Sequence, residues 1–202
     1  MIDKADITGI ILSGGKSTRM GSDKGQKNFM GKPLVEYAIE ALRPNCGNLV
    51  LSANRPLDYQ KYNIQIIEDE IIGVGPMGGV LSCLKHAKNE INIFLSCDTP
   101  YIDSSFIGFL IKNIDKNFDA LVPVHPNNKA EPLCAYYNSS LINVLCAFID
   151  KGDYKLMNFL GSIKMKKLDL SDWEYYNPGT FSNLNSPGDL RNNNDLFQGL
   201  KG

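Results

Sequence analysis

The chain has 202 residues and a formal net charge of −1, from 21 basic and 22 acidic residues. That balance provides no general field for nucleic acid. No apolar run approaches the ~18 residues of a membrane span, and the start Met1-Ile2-Asp3-Lys4-Ala5-Asp6 lacks the basic and then apolar profile of a signal peptide; a cytoplasmic protein without nucleic-acid or membrane partners is expected.

The first predicted element is a buried strand over the apolar run Ile7 to Leu12. A long glycine-bearing stretch follows it, Leu12-Ser13-Gly14-Gly15-Lys16-Ser17-Thr18-Arg19-Met20-Gly21-Ser22-Asp23-Lys24. From Pro33 to Arg43 the apolar residues Leu34, Ala38 and Leu42 recur every four positions, which predicts an amphipathic helix with a first-turn proline. Strands are then expected at Leu49 to Ala53 and Ile64 to Ile67, followed by a helix carrying Met77, Val80, Leu81 and Leu84 with Gly78 and Gly79 in its first turn. A further strand, Ile91 to Ser96, ends in Cys97-Asp98-Thr99-Pro100, before a helix capped by Asp103 or Ser104.

Strands alternating with helices imply βαβ units and a parallel sheet, so the fold class is α/β, a single doubly wound, mostly parallel sheet of Rossmann type. The second half departs from that alternation. Asp119 to Val124 and Pro132 to Tyr137 read as strands with no room between them for a crossover helix, which predicts an antiparallel element. Helices at Ser139 to Phe148 and Asp153 to Leu160, strands at Ile163 to Leu170 and Thr180 to Leu184, and a helix start at Ser186-Pro187 complete the reading. One domain, 1–202, fits the length. The five cysteines are widely spaced without a CxxC or Cys/His ligand pattern, so they are read as small core residues.

Three polar groups fall at strand C-terminal ends: the glycine stretch, Asp69 and Asp98. In a parallel sheet those ends share one edge, where ligands of open α/β sheets bind. Glycines allow close backbone approach to phosphate, and Lys16, Arg19 and Lys24 place three cations within nine residues. A polyphosphate grip follows, and carboxylates facing it call for an intervening Mg²⁺. A P-loop is excluded by spacing, since Gly9 lies one residue too far from Gly15-Lys16-Ser17, and a G-x-G-x-x-G fingerprint is absent. His86 is read as a surface residue; His125, in a strand-to-strand loop, fits a polar loop residue or one that meets substrate, and Trp173, Tyr175 and Tyr176 fit either packing or a lid.

The motif from Leu12 to Lys24, followed by Gly31-Lys32-Pro33-Leu34, resembles the signature of the MobA-like nucleotidyltransferases, and within them the branch that makes the guanine dinucleotide form of the molybdenum cofactor. The likeness continues through Ser52-Ala53-Asn54-Arg55, Ile67-Glu68-Asp69, Gly75-Pro76-Met77-Gly78-Gly79, Cys97-Asp98-Thr99-Pro100 and Asn183-Leu184-Asn185-Ser186-Pro187. It implies a nucleotide-diphospho-sugar transferase type of fold, with a nucleotide-binding half about 1–100 and an acceptor half about 101–202. It also implies transfer of GMP from GTP to the terminal phosphate of a molybdopterin-type cofactor, with transient contact to molybdoenzymes. By the same resemblance the nucleotide would meet Leu12, Ser13, Gly14, Gly15, Lys24, Ser52, Asp69 and Asp98. Asp98 would hold Mg²⁺, Lys24 and Arg19 would act on the phosphates, and Asn183 and Asn185 would lie by the acceptor. Ser13 stands where an alanine is usual and Ser52 where an asparagine is common. Alternatives that the residues leave open are CTP or another phosphorylated acceptor on the same fold, and a nucleotide-binding module without turnover.

Overall fold

The computed structural model describes residues 2–13 and 23–184. In it the first run is β1 (Ile7–Leu12), buried along its whole length. A short hairpin, β2 (Asn28–Phe29) with β3 (Lys32–Pro33), leads into helix α1 (Leu34–Leu42). Then come β4 (Asn48–Ser52), β5 (Gln65–Ile67), α2 (Pro76–His86), β6 (Ile91–Ser96) and α3 (Ser104–Lys112). Asp103 caps α3, its carboxylate accepting from the amides of Ser105 and Phe106. The second half supplies β7 (Ala120–Val124), β8 (Tyr136–Asn138), α4 (Ile142–Asp150), α5 (Leu156–Leu160) and β9 (Met165–Asp169).

These strands form a seven-stranded sheet in the order β5-β4-β1-β6-β8-β7-β9. Pairing is parallel except at β8, which runs antiparallel to both β6 and β7. The sheet is therefore doubly wound and mostly parallel, with its antiparallel element where the loss of alternation predicts it. β1 and β4 read as unbroken apolar runs because helices cover both faces. On one face Ile11, Leu51 and Leu95 pack with Val35, Ala38 and Leu42 of α1 and with Phe106 and Leu110 of α3. On the other, Ile10, Val50 and Phe94 meet Val80, Leu81 and Leu84 of α2 and Leu145 and Ile149 of α4.

Four cysteines are buried, and burial pushes the thiols of Cys46, Cys83 and Cys97 up to about 12, as unreactive core residues require. Two expected strands differ. Residues from Thr180 to Leu184 hold no strand; Pro178–Phe181 is a 3-10 helix whose first turn Asn177 caps through the Gly179 amide. Pro132 to Cys134 turn instead of extending, so β8 starts only at Tyr136. In both stretches a proline cannot donate to a ladder; at Pro178 the Asn177 side chain offers the backbone a nearer partner, and after Pro132 the Cys134 amide turns back to the Glu131 carbonyl over 3.1 Å. The helix start at Ser186-Pro187 lies outside the described residues.

Candidate active site

β1 sits between β4 and β6, so chain direction diverges on its two sides and a cleft opens beyond its C-terminal end. The register there is tight: Leu12 lies opposite both Ser52 and Ser96. The backbone extends this row, with the Ser13 amide donating to the Ser52 carbonyl over 3.0 Å and the Cys97 amide to the Leu12 carbonyl over 3.1 Å. Residues 12–13, 52–53 and 97–98 thus share one short edge of the sheet, as their positions at strand ends predict.

At this edge Lys24 meets Asp98. Its ammonium lies 2.5 Å from Asp98 Oδ2, and the two side chains are only 17% and 13% exposed. The other oxygen, Asp98 Oδ1, is buried and has no hydrogen-bond partner among the described residues. A buried carboxylate oxygen left in this state costs stability unless a donor, water or cation reaches it. Its chemistry fits a hard cation that takes one protein carboxylate and completes its shell with phosphate oxygens and water. Among the described residues no group of three or more His, Cys, Asp or Glu side chains forms an all-protein metal cage. Mg²⁺ held by one carboxylate and a bound polyphosphate suits that arrangement; a protein-enclosed zinc does not.

Asp69 follows β5 and turns toward the same end. Ser52 Oγ donates to Asp69 Oδ1 over 3.0 Å, and burial raises the Asp69 carboxyl above the usual carboxylate range while this bond opposes the rise. The first turn of α2 closes on this pair. A β-carbon at Gly79 would stand 3.3 Å from both Asp69 Oδ1 and Ser52 Oγ, so the missing side chain lets the turn approach. A β-carbon at Gly78 would stand 2.7 Å from the Ile71 carbonyl oxygen.

A later segment of the chain is tied to the same edge. The Leu184 amide donates to the Asp98 carbonyl over 2.8 Å, and Leu184 is buried with Phe29, Leu34, Tyr37 and Tyr101. Asn183, exposed and one residue earlier, is thereby brought to the edge that carries Asp98. Gly14, Gly15, Lys16, Arg19 and Asn185 lie outside the described residues.

Three groups at this edge have no assigned role in the motif reading. Asp23 caps the turn Lys24–Gln26, and its Oδ1 accepts from the Gly25 amide and from Ser13 Oγ. Tyr59, wholly buried in the 3-10 helix Pro56–Tyr62, donates to the same oxygen. No periodicity marks Tyr59, because its partners are distant in sequence; Asp23 was visible only as the neighbour of Lys24.

His125 is the third: it stands in the loop directly after β7, as read, and the structure adds that it is buried there. It is 7% exposed, with Nδ1 2.9 Å from the Tyr176 hydroxyl and Nε2 3.0 Å from Glu131 Oε1. Phe181 lies edge-on to its ring at 5.0 Å between centroids. Both nitrogens are satisfied because β7 delivers His125 beneath the 176–181 segment. Trp173 is settled as packing, 5.1 Å from Phe106 and 6.3 Å from Phe109 between ring centroids, whereas Tyr175 is exposed. His86 is at the surface as read, 43% exposed. Among the described residues no helix is long and apolar enough to cross a membrane.

Comparison with known proteins adds an independent line. The family model described as "MobA-like NTP transferase domain" matches residues 9–167. A molybdenum cofactor guanylyltransferase of Yersinia pestis (strain Pestoides F) is 37% identical over 187 residues, covering 91% of this chain and 93% of the relative. One from Yersinia pseudotuberculosis serotype O:1b is 36% identical over the same shares. Among solved structures, molybdopterin-guanine dinucleotide biosynthesis protein A from Archaeoglobus fulgidus superposes with a TM-score of 0.79 at 26% identity, over 95% of this chain and 99% of that one.

Proposed function

Because the chain belongs to the MobA-like NTP transferase family, we propose that it transfers GMP from GTP to the terminal phosphate of a molybdopterin-type cofactor, giving the guanine dinucleotide form and pyrophosphate. The observation that carries this reading is the Lys24–Asp98 pair at the sheet edge, beside an Asp98 oxygen with no partner among the described residues. A nucleotidyl transfer needs both a cation for the phosphates and a carboxylate for a metal at that point. Relatives named for guanylyl transfer to the molybdenum cofactor, 37% identical over nearly the whole chain, supply the choice of base and acceptor.

The reaction needs no protein nucleophile. An oxygen of the acceptor phosphate attacks the α-phosphorus of GTP, a new P–O bond forms, and the bond to the β-phosphate breaks with its electrons leaving on pyrophosphate. Catalysis is then alignment and charge stabilisation. Lys24 and Arg19 neutralise the charge that grows on the leaving pyrophosphate. Leu12, Ser13, Gly14 and Gly15 line the nucleotide, Ser52 and Asp69 hold the nucleoside end, and Asn183 and Asn185 orient the acceptor. Asp98 is the residue that would hold Mg²⁺, which when bound would supply Lewis-acid neutralisation of phosphate charge. The nucleotide-binding half is 1–100 and the acceptor half 101–202. Work in the cytoplasm, with handover of the product to molybdoenzymes, completes the proposal.

The test is pyrophosphate release from GTP with Mg²⁺ and molybdopterin, run beside CTP. Release with GTP in clear preference to CTP is expected. Release with CTP alone would reassign the base while keeping the chemistry. No release with any nucleotide and acceptor would leave a binding module and end the transferase reading.

A further inference from the structure

We infer that Tyr59 is a positioning residue of the nucleotide site, its buried hydroxyl joining Ser13 to Asp23 and thereby fixing where Lys24 stands. This rests on the proposed role of Lys24 toward phosphate.

Tyr59 comes from the 3-10 helix Pro56–Tyr62, between β4 and β5, and lies outside the Leu12–Lys24 motif in sequence. Its oxygen lies 2.6 Å from Ser13 Oγ. It also donates to Asp23 Oδ1, 36 residues away, and Ser13 Oγ reaches that same oxygen over 3.0 Å. Gly25 adds a third donor, its amide 3.1 Å from Asp23 Oδ1. The donors can be counted. Tyr59 and Ser13 have one hydroxyl proton each, so Tyr59 donates to the carboxylate, and Ser13 donates to either the carboxylate or the Tyr59 oxygen. Asp23 Oδ1 is therefore the acceptor on which the cluster converges.

A buried tyrosine hydroxyl always needs a partner, and that alone is a sufficient reason for one bond. It does not account for the partners found. Ser13 and Asp23 are the described residues on either side of 14–22, and Asp23 directly precedes Lys24. A second tie repeats the connection, since Gln26 Nε2 donates to the Asp58 carbonyl over 2.8 Å. The turn that carries Lys24 is thus attached twice to the helix that carries Tyr59. Close packing makes the arrangement selective: a β-carbon at Gly25 would meet the Tyr59 oxygen at 2.6 Å and Ser13 Oγ closer still. Burial and the bond to Asp23 both raise the Tyr59 phenol, which stays a proton donor through the neutral range.

The experiment measures binding of Mg²⁺-pyrophosphate by titration calorimetry to the full chain, as wild type, Tyr59→Phe, Lys24→Ala and the double variant, with the melting temperature of each recorded. Tyr59→Phe keeps the ring and its volume, and is expected to weaken binding about tenfold, as misplacement of a contact group does. In the Lys24→Ala background the same change is expected to add less than about twofold, the non-additivity of residues acting through one another. In turnover, kcat is expected to fall more than KM rises. Should Tyr59→Phe fail to fold, Gln26→Leu removes the second tie between the Lys24 turn and the Tyr59 helix, and a smaller loss in the same direction is expected; wild-type binding by it would then overturn the inference. Wild-type binding by Tyr59→Phe beside weakened binding by Lys24→Ala overturns the inference, and so does a Tyr59 effect of full size in the double variant. If Lys24→Ala itself leaves binding unchanged, the phosphate role of Lys24 fails and the inference goes with it.

Discussion

The Lys24 ammonium stands 2.5 Å from Asp98 Oδ2, although 74 residues separate the two in the chain. Each neutralises a charge that the other would otherwise leave in a half-enclosed edge. The proposed transfer would use both signs at that point, so removing either is expected to cost turnover well beyond the loss of one ion pair. Asp98→Asn and Lys24→Ala are each expected to lower pyrophosphate release by roughly 10²-fold or more, in the range for a lost transition-state stabiliser. The double variant is expected to lose far less than the product of the two, because residues acting as a unit are not additive. Rates measured on variants with wild-type circular dichroism check this, and near-normal turnover in either single variant would remove that residue from the chemistry.

The two glycines opening α2 separate stability from binding. At Gly78 an added β-carbon meets the Ile71 carbonyl at 2.7 Å, and backbone has little room to yield. Gly78→Ala is expected to destabilise by about 1–3 kcal/mol, the usual penalty for overpacking. At Gly79 the neighbours are the Asp69 and Ser52 side chains at 3.3 Å, which can shift by a few tenths of an ångström. Gly79→Ala is therefore expected to fold almost as well and to bind GTP more weakly. Urea denaturation and nucleotide titration on both variants decide it; equal stability of the two would contradict the packing argument.

Much of this edge was legible before any coordinates. Apolar runs covered on both faces declare parallel strands, and parallel strands put Ser13, Ser52, Asp69 and Asp98 at one edge whatever the helices do in detail. The antiparallel β8 was legible too, since too few residues separate it from β7 for a crossover. Tyr59 was not, because a single buried hydroxyl has no period, and its meaning lies in partners 46 and 36 residues away. The burial of His125 was not legible either, for a related reason. Its immediate neighbours are turn residues, and only β7 and the 176–181 segment together make it a core group. The strand expected near Thr180 failed because an asparagine cap and a proline favoured a 3-10 turn locally.

The His125 cluster carries a stability prediction of its own. Tyr176→Phe removes the hydroxyl that lies 2.9 Å from His125 Nδ1 and leaves that nitrogen largely shut off from water. A cost of about 1–3 kcal/mol is expected, the penalty for a buried polar group without a partner. Because the same segment leads to Phe181 and on to Asn183, a rise in KM for the acceptor is expected with KM for GTP unchanged. Denaturation midpoints and separate titration of the two substrates measure this; an altered KM for GTP alone would place the cluster on the wrong side of the site.

Asp69 sets a pH signature. Burial raises its folded-state pKa above the ordinary aspartate value of 3.8, so between the unfolded and folded values the native state binds more protons than the unfolded chain. Stability therefore falls as pH rises through that window, which opens near 3.8, and the ionised carboxylate remains a cost above it. Asn at this position keeps an oxygen to accept from Ser52 and has no charge to desolvate. Asp69→Asn is accordingly expected to be at least as stable as wild type at pH 7, with any gain shrinking as pH falls toward 3.8. Nucleotide affinity is expected to move the other way, because a carboxylate accepts from a ribose hydroxyl or base N–H more strongly than an amide oxygen does. Melting temperatures of both proteins from about pH 3.5, just below the ordinary carboxylate range, to about pH 7, beside GTP titration at the upper end, supply the check. A variant less stable than wild type at pH 7 would mean that the carboxylate holds the fold together at this edge instead of being held there for the nucleotide.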